Sequence, residues 1–288
     1  MTLRALVVGG TSGIGYAMAC RLAAETHSAT VTISGRTKPQ NLPPNITFRP
    51  LEATSMRQIK AYTDTLKATL PPSQKLDYLI MTQGIMSTAP RTETPEGIDR
   101  KMALHFYGKQ HLIRELLPAL SDTAKVIIVY DGKFGDAEKL VWEDLELKEH
   151  FSLGRAANHC MAMCDGMVQW WAARQGDGAD SEGMKRHFVH AWPGGVDTGL
   201  LRELPGYLQP VVKGLGGLLL TSPGVCAERL LNGVDGCALV GEQEGRFWSN
   251  IDNKGRLIAK KTVWSEERMN KVAEHTWGLI DRALTVQC

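Results

Sequence analysis

Cysteine is scarce in this chain and unclustered: six among 288 residues, at 20, 160, 164, 226, 237 and 288, with no CxxC pair. Reduced, buried thiols are therefore expected rather than a disulfide framework or a metal site. An excess of one charge is also missing. The 33 basic and 31 acidic residues are interspersed and leave a formal charge of +2, so there is no basic stripe for a nucleic acid backbone and no polybasic arm for a membrane surface. Long hydrophobic runs are absent too. The most apolar late stretch, 215–220, is broken by Gly216 and Gly217 and bounded by Pro223, well short of the ~20 residues that span a bilayer. The first residues, Met1 to Val8, lead straight into a strand pattern with no charged, apolar and cleavable leader, so a cytoplasmic location is expected.

What is present is an alternation. Short β-rich runs at 3–8, 30–34, 46–51, 76–82, 125–130, 187–192 and, more weakly, 237–240 or 246–249 are separated by helix-length amphipathic stretches. Near-continuous apolar strands between helices predict an α/β chain with a doubly wound, mostly parallel sheet of about seven strands, helices on both faces, and one domain over 1–288. Helices are expected after Gly13, Thr54, Thr94, Ser152, Ser222 and Ser265. Thr94-Pro95-Glu96 and Ser222-Pro223 place proline at the first helical position. The Gly-, Pro- and Leu-rich segment 195–222 reads as a lid over a substrate site, or else as a packed surface excursion.

Directly after the first run comes Gly9-Gly10-Thr11-Ser12-Gly13-Ile14-Gly15. A strand, a glycine turn and a helix in that order let the backbone approach a pyrophosphate and aim helix amides at it. Gly9, Thr11, Ser12, Gly13, Ile14 and Gly15 are the candidate phosphate-binding residues. The second run ends Ser34-Gly35-Arg36-Thr37-Lys38, where an NAD site carries an acid for the ribose 2′-hydroxyl. No acid is there. Arg36, with Lys38 nearby, suits a 2′-phosphate, so NADP(H) is preferred to NAD(H) as the cofactor.

These pieces, with Leu51-Glu52, Leu76-Asp77-Tyr78-Leu79-Ile80, Thr82-Gln83-Gly84 and Pro193-Gly194-Gly195-Val196-Asp197-Thr198, make residues 3–200 resemble the short-chain dehydrogenase/reductase family. The resemblance implies a Rossmann-type domain. It places Glu52 against adenine, Gly84 where the backbone passes the cofactor, and Pro193, Gly194, Val196 and Thr198 beside the nicotinamide. Leu104-His105-Phe106-Tyr107-Gly108 and His150-Phe151-Ser152-Leu153 are similar to an atypical branch of fungal metabolite-pathway reductases. The family's dimer contact implies a homodimer through the two central helices.

The family's catalytic set is Asn, Ser, Tyr and Lys, and the resemblance puts His105, Asp131, Phe151 and Arg155 at those positions. Phenylalanine cannot protonate an alkoxide, a loss of ~10²–10⁴-fold where a general acid is needed. Arg155 then reads as a cofactor clamp. Asp131 at the end of the fifth strand becomes the leading acid or base, with Lys133 as the neighbouring cation and His105 as a group titrating near neutral pH. A carboxylate that merely caps or pairs is the structural alternative. His159 and Asp165 read as packing residues. Three functions follow: an NADP(H)-dependent oxidoreductase acting on an apolar small molecule in specialised metabolism; a non-redox isomerase or cyclase using Asp131 and His105; and a nucleotide-binding pseudoenzyme.

Overall fold

Strand side chains alternate across a sheet, so a strand covered on both faces must be apolar at successive positions. β1 (Arg4–Val8) obeys this: Leu6 and Val8 enter one apolar cluster, Ala5 and Val7 the other, and all four are buried. The computed structural model describes residues 2–26, 28–71, 73–175, 183–198 and 220–286. In it β1 is joined by β2 (Thr30–Gly35), β3 (Ile46–Pro50), β4 (Leu76–Met81), β5 (Leu120–Val129), β6 (His187–Ala191) and β7 (Trp248–Ile251). All seven pair in parallel in the order β3-β2-β1-β4-β5-β6-β7.

Helices cover both faces. α1 (Gly13–Glu25) and α5 (Pro223–Glu244) pack on one face, with Met18, Leu22, Leu230 and Val234 in the core they share. The other face is covered by α2 (Met56–Thr69), α3, α4 (Leu153–Ala173) and α6 (Glu266–Thr285). α3 is a composite: Arg100–Met102, a π-helical turn at Ala103–Tyr107, and Gly108–Leu116. The chain leaves β1 toward β2 and β3, then returns to its other side for β4. At this reversal the strand ends part and open a crevice at their carboxyl side.

Two sequence expectations are corrected. Thr94-Pro95-Glu96 opens a turn, closed by Gly97 at φ +78 with its N–H on the Thr94 carbonyl, and not a helix. Glu96 is needed elsewhere: its carboxylate accepts the Met56 and Arg57 N–H groups at 2.7 and 3.1 Å and so holds the start of α2. α3 begins instead at Asp99, whose Oδ1 accepts from the Lys101 and Met102 N–H groups. The run 237–240 belongs to α5, which continues to Gly245 (φ +67), and the seventh strand is the later candidate. Around the central helices, where the resemblance implied a dimer contact, the chain packs largely on itself. Residues 101–113 of α3 are buried without a break, and α6 lies along α4, where Trp170 and Trp171 meet Trp277. Of the expected lid 195–222, residues 199–219 lie outside the described residues. No described helix is long and apolar enough to cross a membrane.

Candidate active site

The crevice at the strand ends is a cleft of about 530 Å³. One end is the turn between β1 and α1. The Gly9 and Gly10 N–H groups donate to the Ser34 carbonyl at 2.8 and 3.2 Å, tying the turn to the end of β2. Gly9 has φ +81, and a Cβ there would lie 2.6 Å from Thr82 Oγ1 and 2.5 Å from the Gln83 nitrogen. The Thr82 hydroxyl donates to the Gly9 carbonyl at 3.1 Å, so this close approach is fixed from both sides.

Four helix starts elsewhere are capped by a serine side chain: Ser55, Ser152, Ser222 and Ser265 each accept a first-turn N–H. α1 differs. Its N-cap, Ser12, makes no such bond, so the first-turn amides of α1 are left to the cleft that Ser12, Gly13 and Ile14 line. Unsatisfied amides at the positive end of a helix dipole bind anions.

Beside this turn, Arg36 lines the mouth of the cleft with Gly35, and among the described residues no carboxylate pairs with it. Glu52 lines the same wall, its Oε1 held by the Thr54 N–H and hydroxyl at 3.1 and 2.9 Å. Gln83 and Gly84 form the floor. Both amide atoms of Gln83 are buried without a protein partner. Pro193 and Thr198 form a further wall, with the Thr198 side chain beside Gly13. Gly194 (φ +70) and Val196 support that wall from behind: Asn253 packs on Gly194, and Val196 bridges to Thr221.

At the other end the cleft is lined by Ile85, Met86, Leu104, His105, Tyr130, Leu153, Ala156 and Ala157, with Arg100 and Lys101 at the rim. The π-helical turn sets His105 beneath Gly84. Its Nε2 accepts the Ile85 N–H at 3.0 Å, which puts the proton of the neutral ring on Nδ1. Burial, with the Lys109 ammonium adding to it, pushes this histidine down to about 3. It is therefore neutral throughout the physiological range and does not titrate near pH 7 as the sequence suggested. Lys109, one helical turn on, is fully buried. Its Nζ donates to the carbonyls of Met81 and Val129 at 3.1 and 3.3 Å, and burial lowers it to about 8.

The structure separates the other expected catalytic residues from this lining. Asp131 Oδ1 accepts the Lys133 and Phe134 N–H groups at 3.0 and 3.1 Å, making the turn that follows β5. Lys133 turns away, its ammonium over the rings of Trp192 and Phe134 at 4.3 and 4.9 Å. Arg155 donates to the His150 carbonyl at 3.0 Å and is exposed. The Phe151 ring packs at the core beneath Lys101. Where the resemblance implied a clamp at Arg155, the wall is the apolar first turn of α4. Tyr130 and Lys109 were not singled out from the sequence. The alternation along β5 points to the first of them, because residue 130 shares the α3 face with Ile128, and residue 131 does not.

Deeper under α4, Asp165 Oδ1 accepts from His190 Nδ1 at 2.6 Å and from Asn250 Nδ2 at 2.5 Å, while Oδ2 pairs with Lys261 at 2.5 Å. His159 spends both ring nitrogens on the backbone of Val141 and Leu145, a packing role.

Residues 4–130, which include the glycine turn and the first five strands, match the family model for short chain dehydrogenases. An oxidoreductase of Emericella nidulans is 34% identical over 209 residues, 69% of this chain and 60% of that protein, so the alignment covers less than two thirds of the relative. An uncharacterized oxidoreductase of Saccharomyces cerevisiae is 23% identical over 98% of this chain and 89% of its own length. Among solved structures, the NADPH-bound carbonyl reductase from chicken fatty liver superposes with a TM-score of 0.61 at 18% identity, over 90% of this chain and 100% of that one. The family match over the first five strands, the curated relatives and the shared fold together support a protein of the short-chain dehydrogenase/reductase family.

Proposed function

We propose that the chain binds NADP(H) and reduces an apolar small molecule at the His105 end of the cleft. The observation that carries this reading is the pairing of an uncapped α1 with an Arg36 that has no carboxylate partner among the described residues, at one end of a single crevice. The residues present fit the cofactor. The glycines leave room for a pyrophosphate on the α1 amides, Arg36 offers a planar fork for a 2′-phosphate, and the orphaned Gln83 amide leaves polar capacity in the floor. The cofactor, when bound, supplies hydride. The chain's own residues hold it, and Ile85, Met86, Leu104 and Leu153 exclude water from the reacting end.

The proton-driven isomerase reading relied on Asp131 and His105: Asp131 lies outside the cleft lining with Oδ1 accepting two N–H groups of its own turn, and His105 is a buried ring whose Nε2 is taken by the Ile85 N–H. A homodimer through the central helices is not part of the proposal, since α3 is buried and α6 covers α4. The setting in specialised metabolism rests on the sequence resemblance.

Calorimetry with NADPH and NADH tests the cofactor. A hydrogen bond to a charged group contributes ~1.5–3 kcal/mol, so NADPH should bind ~10–100-fold more tightly, and Arg36→Ala should erase the difference. Equal affinities, or no binding of either, would overturn the assignment.

A further inference from the structure

A carbonyl that receives hydride needs a proton on its oxygen, and the wall opposite the glycine turn offers none. Leu153, Ala156 and Ala157 carry no acidic hydrogen, and Phe151 lies off the cleft. Among the cleft's reaction-end side chains two carry hydroxyls: Ser87, whose Oγ accepts the Ala89 N–H at 3.2 Å, and Tyr130. Four of the five described tyrosines spend their hydroxyls on protein partners: Tyr16 on the Asn41 carbonyl, Tyr62 on Ser34, Tyr78 on Asp235 and Tyr107 on His275. Tyr130 is the exception. It lines the cleft, and among the described residues its hydroxyl has no hydrogen-bond partner, nor is it one of the buried unpartnered atoms.

Two rings hold it. His105 stacks on it at 4.6 Å between centroids and 28° between planes, and His190 lies near-parallel at 6.4 Å and 16°. Each histidine is itself fixed, His105 by the Ile85 N–H and His190 by Asp165. The backbone just before Tyr130 is anchored as well, since the Val129 carbonyl accepts from Lys109. A side chain positioned by its neighbours, with its only polar atom unspent, is arranged for a ligand rather than for the fold.

We propose that Tyr130 is the catalytic proton donor, its hydroxyl hydrogen-bonding the substrate carbonyl oxygen in the cleft. This rests on the reductase reading above and gives that site a substrate class, an apolar aldehyde or ketone. In the step, hydride from the reduced nicotinamide forms a C–H bond at the carbonyl carbon, and the C=O π pair moves to oxygen. That oxygen takes the Tyr130 proton, and the phenolate is reprotonated by water. Burial raises the phenol above its usual value, so the donor form is present across the neutral range.

The test uses 4-(dimethylamino)cinnamaldehyde, an apolar aldehyde whose absorbance moves to the red when its carbonyl oxygen accepts a hydrogen bond. Wild-type protein saturated with NADP⁺, which permits no reduction, should shift the band, and Tyr130→Phe should abolish the shift. The substitution keeps the ring and both stacks, so the thermal midpoint and the NADP⁺ affinity from calorimetry should be unchanged. With NADPH, reduction of the same aldehyde should fall ~10²-fold or more in Tyr130→Phe. A shift that survives Tyr130→Phe, a shift lost in Asp131→Asn instead, or no shift in wild-type protein would each overturn the assignment. Failure of NADP⁺ to bind in the calorimeter would overturn the cofactor reading separately.

Discussion

The two ends of the cleft are both built where a parallel strand gives way to a helix, yet they use their polar atoms in opposite ways. At β1–α1 polar capacity is left unspent: Ser12 does not cap, and among the described residues no carboxylate pairs with Arg36. At β5–α4 it is consumed locally, because Asp131 caps its own turn, Ser152 caps α4 and Arg155 binds a neighbouring carbonyl. A charged residue at a strand end is available for chemistry only after its hydrogen bonds have been counted. By that count the nucleotide end is a binding site made of backbone, and the reaction end is an apolar chamber with a neutral imidazole and a phenol.

The sharpest way to break this contrast is to fill the nucleotide end. Gly9→Ala forces a non-glycine residue to φ +81 and drives a methyl group into Thr82 and Gln83. With strain of ~1–3 kcal/mol and a displaced turn, nucleotide affinity should fall at least ~100-fold by calorimetry. Retention of wild-type affinity would show that the backbone does not form the site.

Acid should act on the reaction end. His105 is held at about 3 in the folded protein against 6.5 for an unperturbed histidine, so below 6.5 the unfolded chain takes up a proton that the folded chain refuses. The stability associated with the neutral ring is therefore complete above pH 6.5 and declines as pH falls toward 3. Comparing chemical denaturation of wild-type protein with His105→Asn, the wild type should lose about 2 kcal/mol more between pH 6.5 and 5. A difference that does not change with pH would mean that His105 is not buried as a neutral ring.

The smallest effect is expected at the residue that looked most catalytic in the sequence. Asp131→Ala should cost ~1 kcal/mol of stability, the worth of a turn-capping carboxylate, and leave turnover with an apolar aldehyde within a few-fold of wild type. A loss of ~10²-fold in kcat without a change in stability would return Asp131 to the mechanism.

Much of the fold was legible in the sequence, because burial on both faces writes a strand as a run of apolar residues. That pattern found the core of β1 to β6, and it failed where an apolar run had two solutions. Residues 237–240 lie in a helix whose start at Ser222 and stop at Gly245 are separated by more than twenty residues. Thr94-Pro95 has the chemistry of a helix start, but Gly97 bends the chain and Glu96 is drawn to α2. The glycine turn could be read because backbone geometry dictates residue type there. At the reaction end the alternation along β5 separates Tyr130 from Asp131, but the family resemblance drew attention to residue 131, and which face meets the cleft is settled only by the docking of α3. The covering of α3 and α4 was hidden too: it depends on where α6 docks, which is tertiary information.

The docking of α6 also sorts the chromophores. Of seven tryptophans, Trp142, Trp170, Trp171, Trp264 and Trp277 lie in or against the apolar cluster that α4 and α6 share. Trp192 stands apart, next to the cleft-lining Pro193 and under the Lys133 ammonium. The seventh, Trp248, opens β7 and belongs to neither group, so with Trp248 replaced by phenylalanine intrinsic fluorescence carries two signals. Emission from the five reports whether the carboxyl-terminal helix is seated, and emission from Trp192 reports the neighbourhood of the cleft, so occupancy and loosening of the outer layer can be followed in one optical experiment without a label.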